Sequence, residues 1–308
     1  MPTLQPSPLY KYRDDSPRTE GLITNGNVWL ATADQLNDPL ECKTGHIPED
    51  WKRRTIRQME DAQISGFMMS AVSALEGTQP FYSLSKRAAK RWFQSFERLK
   101  TRKEKYAVIR SFLKDHGRDI SRPAELFDRF DVQLSKVGVF SLSECADNQL
   151  MWAHYASSHT GLAIGFARLP NTKLASQEHT MQVTYSDAKP TFEGGFINQV
   201  SMFATPGGGI RNEQKIGFKD ATFRAAFSTK PVVWNYEKEW RYVEEAGGLF
   251  PWPGPITTVV FGLKMPNARR KHYASLVQRH LPNSPEFVEV TTSPDNSAFV
   301  MNPWVPKP

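Results

Sequence analysis

The hydrophobic positions of this chain change their period twice. Residues 8–45 alternate short apolar runs with polar turns and predict a strand at LYKYR, a helix at TEGLITNG and a strand at NVWLAT. Residues 49–136 carry apolar side chains at spacings of three and four, which is typical of amphipathic helices. From Val137 onward the pattern favours strands again. We therefore expect an α+β protein with a mixed, mostly antiparallel sheet and a helical insertion.

The C-terminal part contains most of the predicted strands, which are VGVFSLS, GLAIGFA, MQVTYS, WRYVEE, ITTVVFG and EFVEVTT. A helix is predicted near Asn267–Leu281, before the last strand. Residues 192–215 end in TPGGGIRNEQK and lack a phosphate-loop signature, so a flexible surface loop is predicted. These boundaries divide the chain into a core domain of residues 1–48 and 137–308 and a basic helical insertion or subdomain of residues 49–136.

The charge of the chain is concentrated in one segment. The net charge is +7, yet residues 86–122 contain 13 Lys and Arg against 4 Asp and Glu, a local charge of +9. Such a segment attracts phosphate groups and other anions. It predicts a nucleic acid or an acidic protein target as partner, and a solvated helical face is the alternative.

The cysteine content and the length of the apolar runs indicate the cellular compartment in which the protein is expected. Cys42 and Cys145 are the only cysteines, too few for a disulfide framework or a zinc ligand set, and free thiols favour a reducing cytoplasm. No apolar run approaches the ~18 residues of a membrane span. The start MPTLQPSPLYKYRDD lacks the apolar core of a secretory signal. We therefore expect a cytoplasmic protein that is not in a membrane.

Four motifs join strand-like runs to polar residues: LYKYR, QLNDPLEC, VFSLSECADNQLMWAHYASSHTG and FSTKPVVWNYEKEWRYVE. Polar groups at strand ends and in adjoining loops are where a scaffold holds ligand-binding residues. The Asn37-Asp38-Pro39 segment is a turn in which the Asx side chains can bond local backbone groups. The motifs together predict a ligand pocket.

In the last motif, Glu237 and Glu239 stand two residues apart at the start of a strand. The period of two places both carboxylates on one face and Trp240 on the other. Like charges raise the pKa of at least one carboxyl, and Lys230 or Arg241 can offset that effect. Such a pair suits a general base or the stabilisation of positive charge, and an exposed strand of alternating charges is the alternative.

The third motif contributes hydroxyls, rings and histidines. Ser141 and Ser143 share one strand face, where they can bond a ribose, a carboxylate, a phosphate or neighbouring backbone. Trp152 is expected to be buried, while His154 or Tyr155 offers a hydrogen bond to a ligand. His154 and His159 are five residues apart without an HExxH motif, so no metal site is predicted. A packed aromatic cluster with satisfied histidines is the alternative.

The four motifs in this order resemble the bacterial family of unknown function DUF2971. The resemblance extends from about Leu9 to Gly262 and skips the helical segment, which carries none of the motif residues. The family supplies no chemistry.

A second resemblance, to mono-ADP-ribosyltransferases of the Arg–Ser–Glu type, does imply chemistry. In the sequence, Arg13, then Ser141 and Ser143, then Glu237 and Glu239 follow the order of that family's motifs. The resemblance implies that Arg13 binds NAD phosphates, that the serines line the nicotinamide pocket and that Glu239 is catalytic. The usual Ser-Thr-Ser is Ser-Leu-Ser here, and the third motif's histidine and tyrosine have no place in that scheme.

These observations lead to an expected function. We expect an ADP-ribosyltransferase-like enzyme with NAD as substrate, acting as a bacterial toxin or an anti-phage defence effector on a nucleic acid or a protein. The predicted catalytic residues are Glu239, Glu237 and His154. The predicted cofactor-binding residues are Tyr12, Arg13, Asn37, Asp38, Ser141, Ser143, Trp152 and Tyr155. The alternatives are a non-catalytic nucleic-acid-binding defence module, a nucleotide or nucleic-acid hydrolase, and a ligand-sensing domain.

Overall fold

The computed structural model describes residues 8–77, 81–191, 198–205, 209–295 and 297–306. Within these ranges no helix combines the length and the apolar character that crossing a membrane would require.

The described residues contain both helices and strands. The helices are α1 (Pro17–Asn25), α2 (Glu49–Glu76), α3 (Lys86–Glu97), α4 (Arg102–Asp115), α5 (Ala124–Asp128), α6 (Phe130–Lys136), α7 (Gln149–Tyr155), α8 (Ala221–Ser228) and α9 (Asn267–His280). The strands are β1 (Leu9–Arg13), β2 (Asn27–Leu30), β3 (Arg118–Ile120), β4 (Gly138–Ser143), β5 (Leu162–Phe166), β6 (Thr180–Gln182), β7 (Thr184–Tyr185), β8 (Asn198–Ala204), β9 (Ile210–Ile216), β10 (Thr229–Lys230), β11 (Glu239–Glu244), β12 (Gly248–Pro251), β13 (Ile256–Phe261), β14 (Glu286–Thr292) and β15 (Phe299–Pro303).

The chain forms two compact units. The first contains the described residues up to Lys43, Leu134–Lys189 and the described residues from Ala225 onward. The second contains the described residues of Thr44–Gln133 and Pro190–Arg224.

The first unit is built on an eight-stranded sheet with the order β15-β14-β13-β5-β1-β4-β11-β6. Only β13 and β14 pair in parallel, and the other neighbours are antiparallel. The fold is therefore α+β with a mixed, mostly antiparallel sheet, as the alternating hydrophobic pattern predicts.

Each face of this sheet packs against a separate hydrophobic cluster. One cluster contains Leu9, Phe140, Leu142 and Tyr242 together with residues of α1 and α9. The other contains Tyr12 from β1 and Trp152 and Met151 from α7. Successive residues of a strand point to opposite faces, which divides β1 and β5 between the two clusters.

The second unit contains helices over much of the predicted helical segment. Side chains of α2, α3 and α4 pack around an aromatic core that includes Phe67, Phe81, Phe96 and Phe112. A three-stranded sheet in the order β3-β9-β8 belongs to the same unit.

Two sequence-based expectations for secondary structure were wrong. The predicted surface loop of residues 192–215 overlaps the antiparallel pair of β8 (Asn198–Ala204) and β9 (Ile210–Ile216), and Pro206, Gly207 and Gly208 of TPGGGIRNEQK lie outside the described residues. The run MQVTYS was predicted as one strand but divides into β6 and β7, because Val183 pairs its N–H with the carbonyl of Glu239 while β7 pairs with β10. Hydrophobic periodicity does not report such changes of partner.

Candidate functional site

A large cavity of the first unit opens where β1 and β4 separate. β1 pairs with β5 over five residues, but with β4 only at Tyr10 and Ser143. Farther along β4, Val139 pairs with Ala31 instead. The space between the two strands is a cavity of about 1310 Å³. A split in the sheet exposes strand side chains and backbone groups that a continuous ladder would cover.

The β1 wall of this cavity is cationic. Lys11 and Arg13 lie two residues apart on β1 and both line the cavity, as does Arg18 of α1. The Lys11 ammonium donates to the carbonyl of Ser141 at 2.9 Å, in the stretch of β4 that has no partner on β1. Burial, followed by the charge of Arg13, lowers the pKa of Lys11 to about 8.

Arg13 retains hydrogen-bonding capacity. Its Nε donates to Thr19 Oγ1 at 3.2 Å, and within the described ranges its terminal amino groups have no hydrogen-bond partner. Burial lowers its pKa, which is the direction expected for a cation that is partly removed from water. A cation with free donors beside a polar cavity is suited to binding an anionic group.

Another part of the lining belongs to a buried cluster of charged groups. Lys230 Nζ lies 3.2 Å from Glu41 Oε1, 2.6 Å from Glu237 Oε2 and 3.1 Å from Glu239 Oε2. Arg241 Nε lies 2.8 Å from Glu239 Oε1, and Arg241 also pairs with Glu41. All five residues are at least 94% buried. Three carboxylates and two cations give the cluster a charge of −1 when all are ionised.

The environment separates the two carboxyls of the Glu-x-Glu motif. Burial raises the pKa of Glu237, although Lys230 and a hydrogen bond from Tyr155 act in the other direction. Burial also acts on Glu239, but Arg241 and Lys230 outweigh it and hold the pKa of Glu239 well below its usual range. Glu239 is therefore a fixed negative charge at neutral pH, while Glu237 takes up a proton more readily.

The two glutamates do not meet in the way that a strand period of two predicts. Glu237 ends a 3₁₀ segment over residues 232–237, Lys238 has a left-handed backbone with φ of 43°, and only Glu239 lies in β11. The carboxylates converge because both bind the Lys230 ammonium. The expectation that Lys230 and Arg241 offset their charges is confirmed, and Trp240 packs on the opposite side, as predicted.

The two serines have different surroundings. Ser143 is fully buried and its hydroxyl donates to the backbone carbonyl of Glu237 at 2.7 Å. Ser141 is partly exposed, and its hydroxyl hydrogen-bonds the Glu239 carboxylate. Both line the cavity. Ser143 therefore fixes the backbone of the Glu-x-Glu motif, while Ser141 holds one carboxylate at the surface of the cavity.

Helix α7 places a histidine and a tyrosine at the cavity. His154 is exposed and Tyr155 donates its phenol proton to Glu237 Oε1 at 2.6 Å. Asn148 caps α7 through its side-chain oxygen and binds the carbonyl of Tyr236 through its amide nitrogen at 2.7 Å. The cap thus ties α7 to the segment before Glu237, which fixes the position of Tyr155.

The remaining predicted residues support the wall from behind or from the side. Trp152 is fully buried, stacks edge-on against Tyr12 at 5.1 Å and donates to the carbonyl of Ala146 at 2.6 Å. It therefore lies in the core and does not line the cavity, because its only polar atom is already bonded. Tyr12 lines the cavity, although its hydroxyl is bonded to the carbonyl of Cys145 at 2.9 Å.

The Asn-Asp-Pro turn orders the edge of the site. Asp38 Oδ1 accepts from the Leu40 N–H at 2.8 Å, which confirms the predicted Asx turn, and its Oδ2 accepts from Trp234 Nε1 at 3.0 Å. Asn37 lines the cavity and hydrogen-bonds Tyr155. Asp38 does not line the cavity, since both of its carboxylate oxygens are used within the turn and the neighbouring segment.

Two residues of the site were missed from the sequence. Lys11 lies on the same face of β1 as Arg13, and the strand period of two would have predicted this from the sequence. Glu41 is the second-to-last residue of the QLNDPLEC motif, and that motif contains no cation with which it could pair. Only the tertiary structure brings Glu41 beside Lys230 and Arg241.

A second, smaller cleft of about 420 Å³ shares part of the wall of the first. It is lined by Asn37, His154, Tyr155, Val233, Trp234 and Tyr236. Within the described parts of the chain, no group of three or more His, Cys, Asp and Glu side chains is arranged to hold a metal ion.

Comparison with known proteins gives a family-model match to part of this region. Neither a search of curated proteins nor a search of solved structures gave a significant match. A family model described as "Protein of unknown function (DUF2971)" matches residues 151–242, which include the Trp-Ala-His-Tyr segment and the Glu-Lys-Glu-Trp-Arg segment. This match supports the identification of the chain with the DUF2971 family that its motifs resemble.

Proposed function

We propose that this protein is an ADP-ribosyltransferase-like enzyme that consumes NAD in the cavity between β1 and β4. The observation that carries the proposal is that Arg13, Ser141 and the Glu237–Glu239 pair line one cavity, although they come from three distant motifs. The cavity is larger than the ~300–1000 Å³ of most small-molecule pockets, which suits a dinucleotide.

The lining of the cavity contains charged groups of both signs. Lys11 and Arg13 provide cationic donors on β1, where the diphosphate would bind. The carboxylate cluster provides net negative charge, and the ribose next to the nicotinamide would lie beside it. A bound dinucleotide would thus have its anionic centre beside the cations and its reacting sugar beside the carboxylates.

The separation of the two pKa values gives each carboxyl a role. Breaking the bond between ribose and nicotinamide sends the electron pair to the nicotinamide nitrogen and leaves positive charge on the sugar. The ionised Glu239 stabilises that charge. Glu237 accepts the proton that the attacking acceptor loses as its bond to the sugar carbon forms, since its raised pKa suits a general base.

The remaining residues position this pair. Lys230 holds both carboxylates, Tyr155 orients Glu237, and the exposed ring of His154 lies at the cavity rim, where it can contact the acceptor. The acceptor is a nucleic acid or a protein, and modification of such a target accords with a toxin or anti-phage role. Water as acceptor would make the enzyme an NAD hydrolase with the same first step.

The experiment is to incubate the purified chain with NAD, with and without cell extract, and to follow free nicotinamide and labelled ADP-ribose. Glu237→Gln is the main variant, because glutamine retains the shape of a protonated Glu237 and is compatible with folding. Glu144→Gln is the matched control, since Glu144 is an exposed carboxylate near the site that does not line the cavity.

We expect nicotinamide release by the wild type and by Glu144→Gln, and a loss of at least about 100-fold in Glu237→Gln, the lower range for removal of a general base. Label on nucleic acid or protein would identify the acceptor class, and free ADP-ribose would indicate hydrolysis. Absence of nicotinamide release from the wild type, together with absence of NAD binding by calorimetry, would exclude the proposal.

A further inference from the structure

Helix α3 presents a row of cations on the side opposite to its buried side. Lys86, Arg87, Lys90 and Arg91 are all exposed, whereas Ala89 and Phe96 are buried. At 3.6 residues per turn the four cations fall on one continuous side of the helix. We call these four residues the α3 cationic row.

The α3 cationic row has no partners among the described residues. None of its four members forms an ion pair there, and the first turn of α3 contains no acidic residue. Other arginines of the same unit are paired, for example Arg102 with Glu60 at 3.0 Å. The row therefore presents its charge to solvent.

This arrangement weakens the helix that carries it. Cations four residues apart, such as Lys86 and Lys90, repel each other on a helix surface. Cations in the first turns also lie at the positive end of the helix dipole, where anionic side chains are favoured. A bound polyanion would remove both unfavourable effects, whereas folding alone would favour acidic residues at these positions.

The aromatic residues of α3 are used inside the unit. Phe96 is buried in the aromatic core, and Trp92 and Phe93 pack against it. No aromatic or large apolar residue interrupts the α3 cationic row. A protein partner would require an apolar centre in the interface, and single-stranded nucleic acid would require exposed rings for base stacking.

We propose that the α3 cationic row binds the phosphate backbone of a nucleic acid duplex without sequence preference. Closely spaced cations with no aromatic ring among them match the regular phosphates of a duplex, because phosphate contacts carry no sequence information. This binding does not depend on the proposed cavity chemistry and stands or falls by its own test. If both proposals hold, a nucleic acid would be the ligand of the row and also the acceptor of the enzyme.

The test measures binding of the full chain to short fluorescein-labelled DNA and RNA duplexes by anisotropy, in the absence of NAD and over a range of salt concentrations. The main variant is Lys86→Glu/Lys90→Glu, and the matched control is Lys264→Glu/Lys271→Glu, which reverses two exposed lysines elsewhere. Each variant changes the net charge from +7 to +3. A general charge effect would therefore be equal in both.

With four phosphate contacts, the logarithm of the binding constant should fall with the logarithm of salt concentration with a slope of about −3.6. A slope of about −0.9 per contact means that each contact strengthens binding about eightfold between ~1 M and ~0.1 M salt. The main variant removes two contacts and should therefore bind about 60-fold more weakly at ~0.1 M salt. The control should stay within about twofold of the wild type. Equal losses in both variants, preference for single strands, or binding of polyglutamate in place of duplexes would overturn the proposal.

Discussion

The phenol of Tyr155 donates a 2.6 Å hydrogen bond to Oε1 of Glu237, a residue 82 positions farther along the chain. This bond joins the aromatic–histidine motif of α7 to the Glu-x-Glu motif. The same Glu237 carboxylate binds Lys230 through its other oxygen. The two sequence motifs are therefore parts of one polar network at the wall of the cavity.

Replacing Tyr155 by phenylalanine should destabilise the protein by about 2 kcal/mol, because the buried Glu237 carboxylate loses a hydrogen bond. The pKa of Glu237 should rise further, since the Tyr155 bond lowers it. Urea denaturation measures the first effect and carboxyl titration by NMR the second. Tyr236→Phe is the control, because the Tyr236 hydroxyl has no hydrogen bond among the described residues. Equal destabilisation by both changes would refute the role of this bond.

Lys230→Met should destabilise the protein by about 3–5 kcal/mol, since it leaves three buried carboxylates with one cation fewer. Chemical denaturation at neutral pH checks this value. Lys173→Met is the matched control, because Lys173 pairs with Glu244 but its side chain is 48% exposed, and such pairs contribute less than about 1 kcal/mol. A loss below that of the control would show that the buried cluster tolerates the missing charge.

If NAD binds in the cavity as proposed, its binding should take up protons near pH 8. The pKa of Lys11 is lowered to about 8, so its ammonium is about half deprotonated at that pH in the free protein. A bound diphosphate favours the charged form and raises this pKa, which draws in up to about half a proton per ligand. Calorimetry in buffers of different ionisation enthalpy measures the uptake. It should be absent in Lys11→Met and small at pH 6, and release of protons would contradict the placement of the diphosphate.

Gly161 should not tolerate alanine. A Cβ at this position would lie 2.1 Å from the backbone oxygen of Arg13, so the chain that carries Arg13 would have to move. We expect a loss of about 3 kcal/mol in stability, the upper range for overpacking, and weaker anion binding. Gly66→Ala is the control: nothing lies within 4 Å of its Cβ position in α2, and alanine should stabilise that helix by about 1 kcal/mol. Thermal unfolding should show a lower melting temperature for Gly161→Ala and a higher one for Gly66→Ala.

Reversing one charge of the α3 cationic row should strengthen the fold. Lys86→Glu places an acidic residue in the first turn of α3, where the helix dipole favours it by about 0.3–1 kcal/mol. The unfolding free energy should rise while affinity for a duplex falls, which separates binding from folding. Lys114→Glu in the last turn of α4 is the opposite control and should lower stability. A drop in stability for Lys86→Glu would mean that the row has a structural role.

Several features of the fold follow from local pattern. Strand β1, with Lys11 and Arg13 on one side and Tyr12 on the other, follows from a period of two. Helix α3 follows from apolar spacing of three and four residues. In contrast, the local pattern predicts a loop where the β8–β9 pair forms, because these strands combine polar residues with a Gly-rich connection and carry little alternation.

The candidate site shows the same division. The sequence by itself determined the residue types: the cation on β1, the serines of β4, the tyrosine of α7 and the Glu-x-Glu motif. Only the tertiary structure decided that β1 and β4 separate, that Lys11 and Glu41 join the site, and that Trp152 lies behind the wall. Periodicity indicates which face of an element is buried. A split in a sheet and a buried ion cluster depend instead on which distant segments meet. The free energy of those contacts is not encoded in any local run of residues.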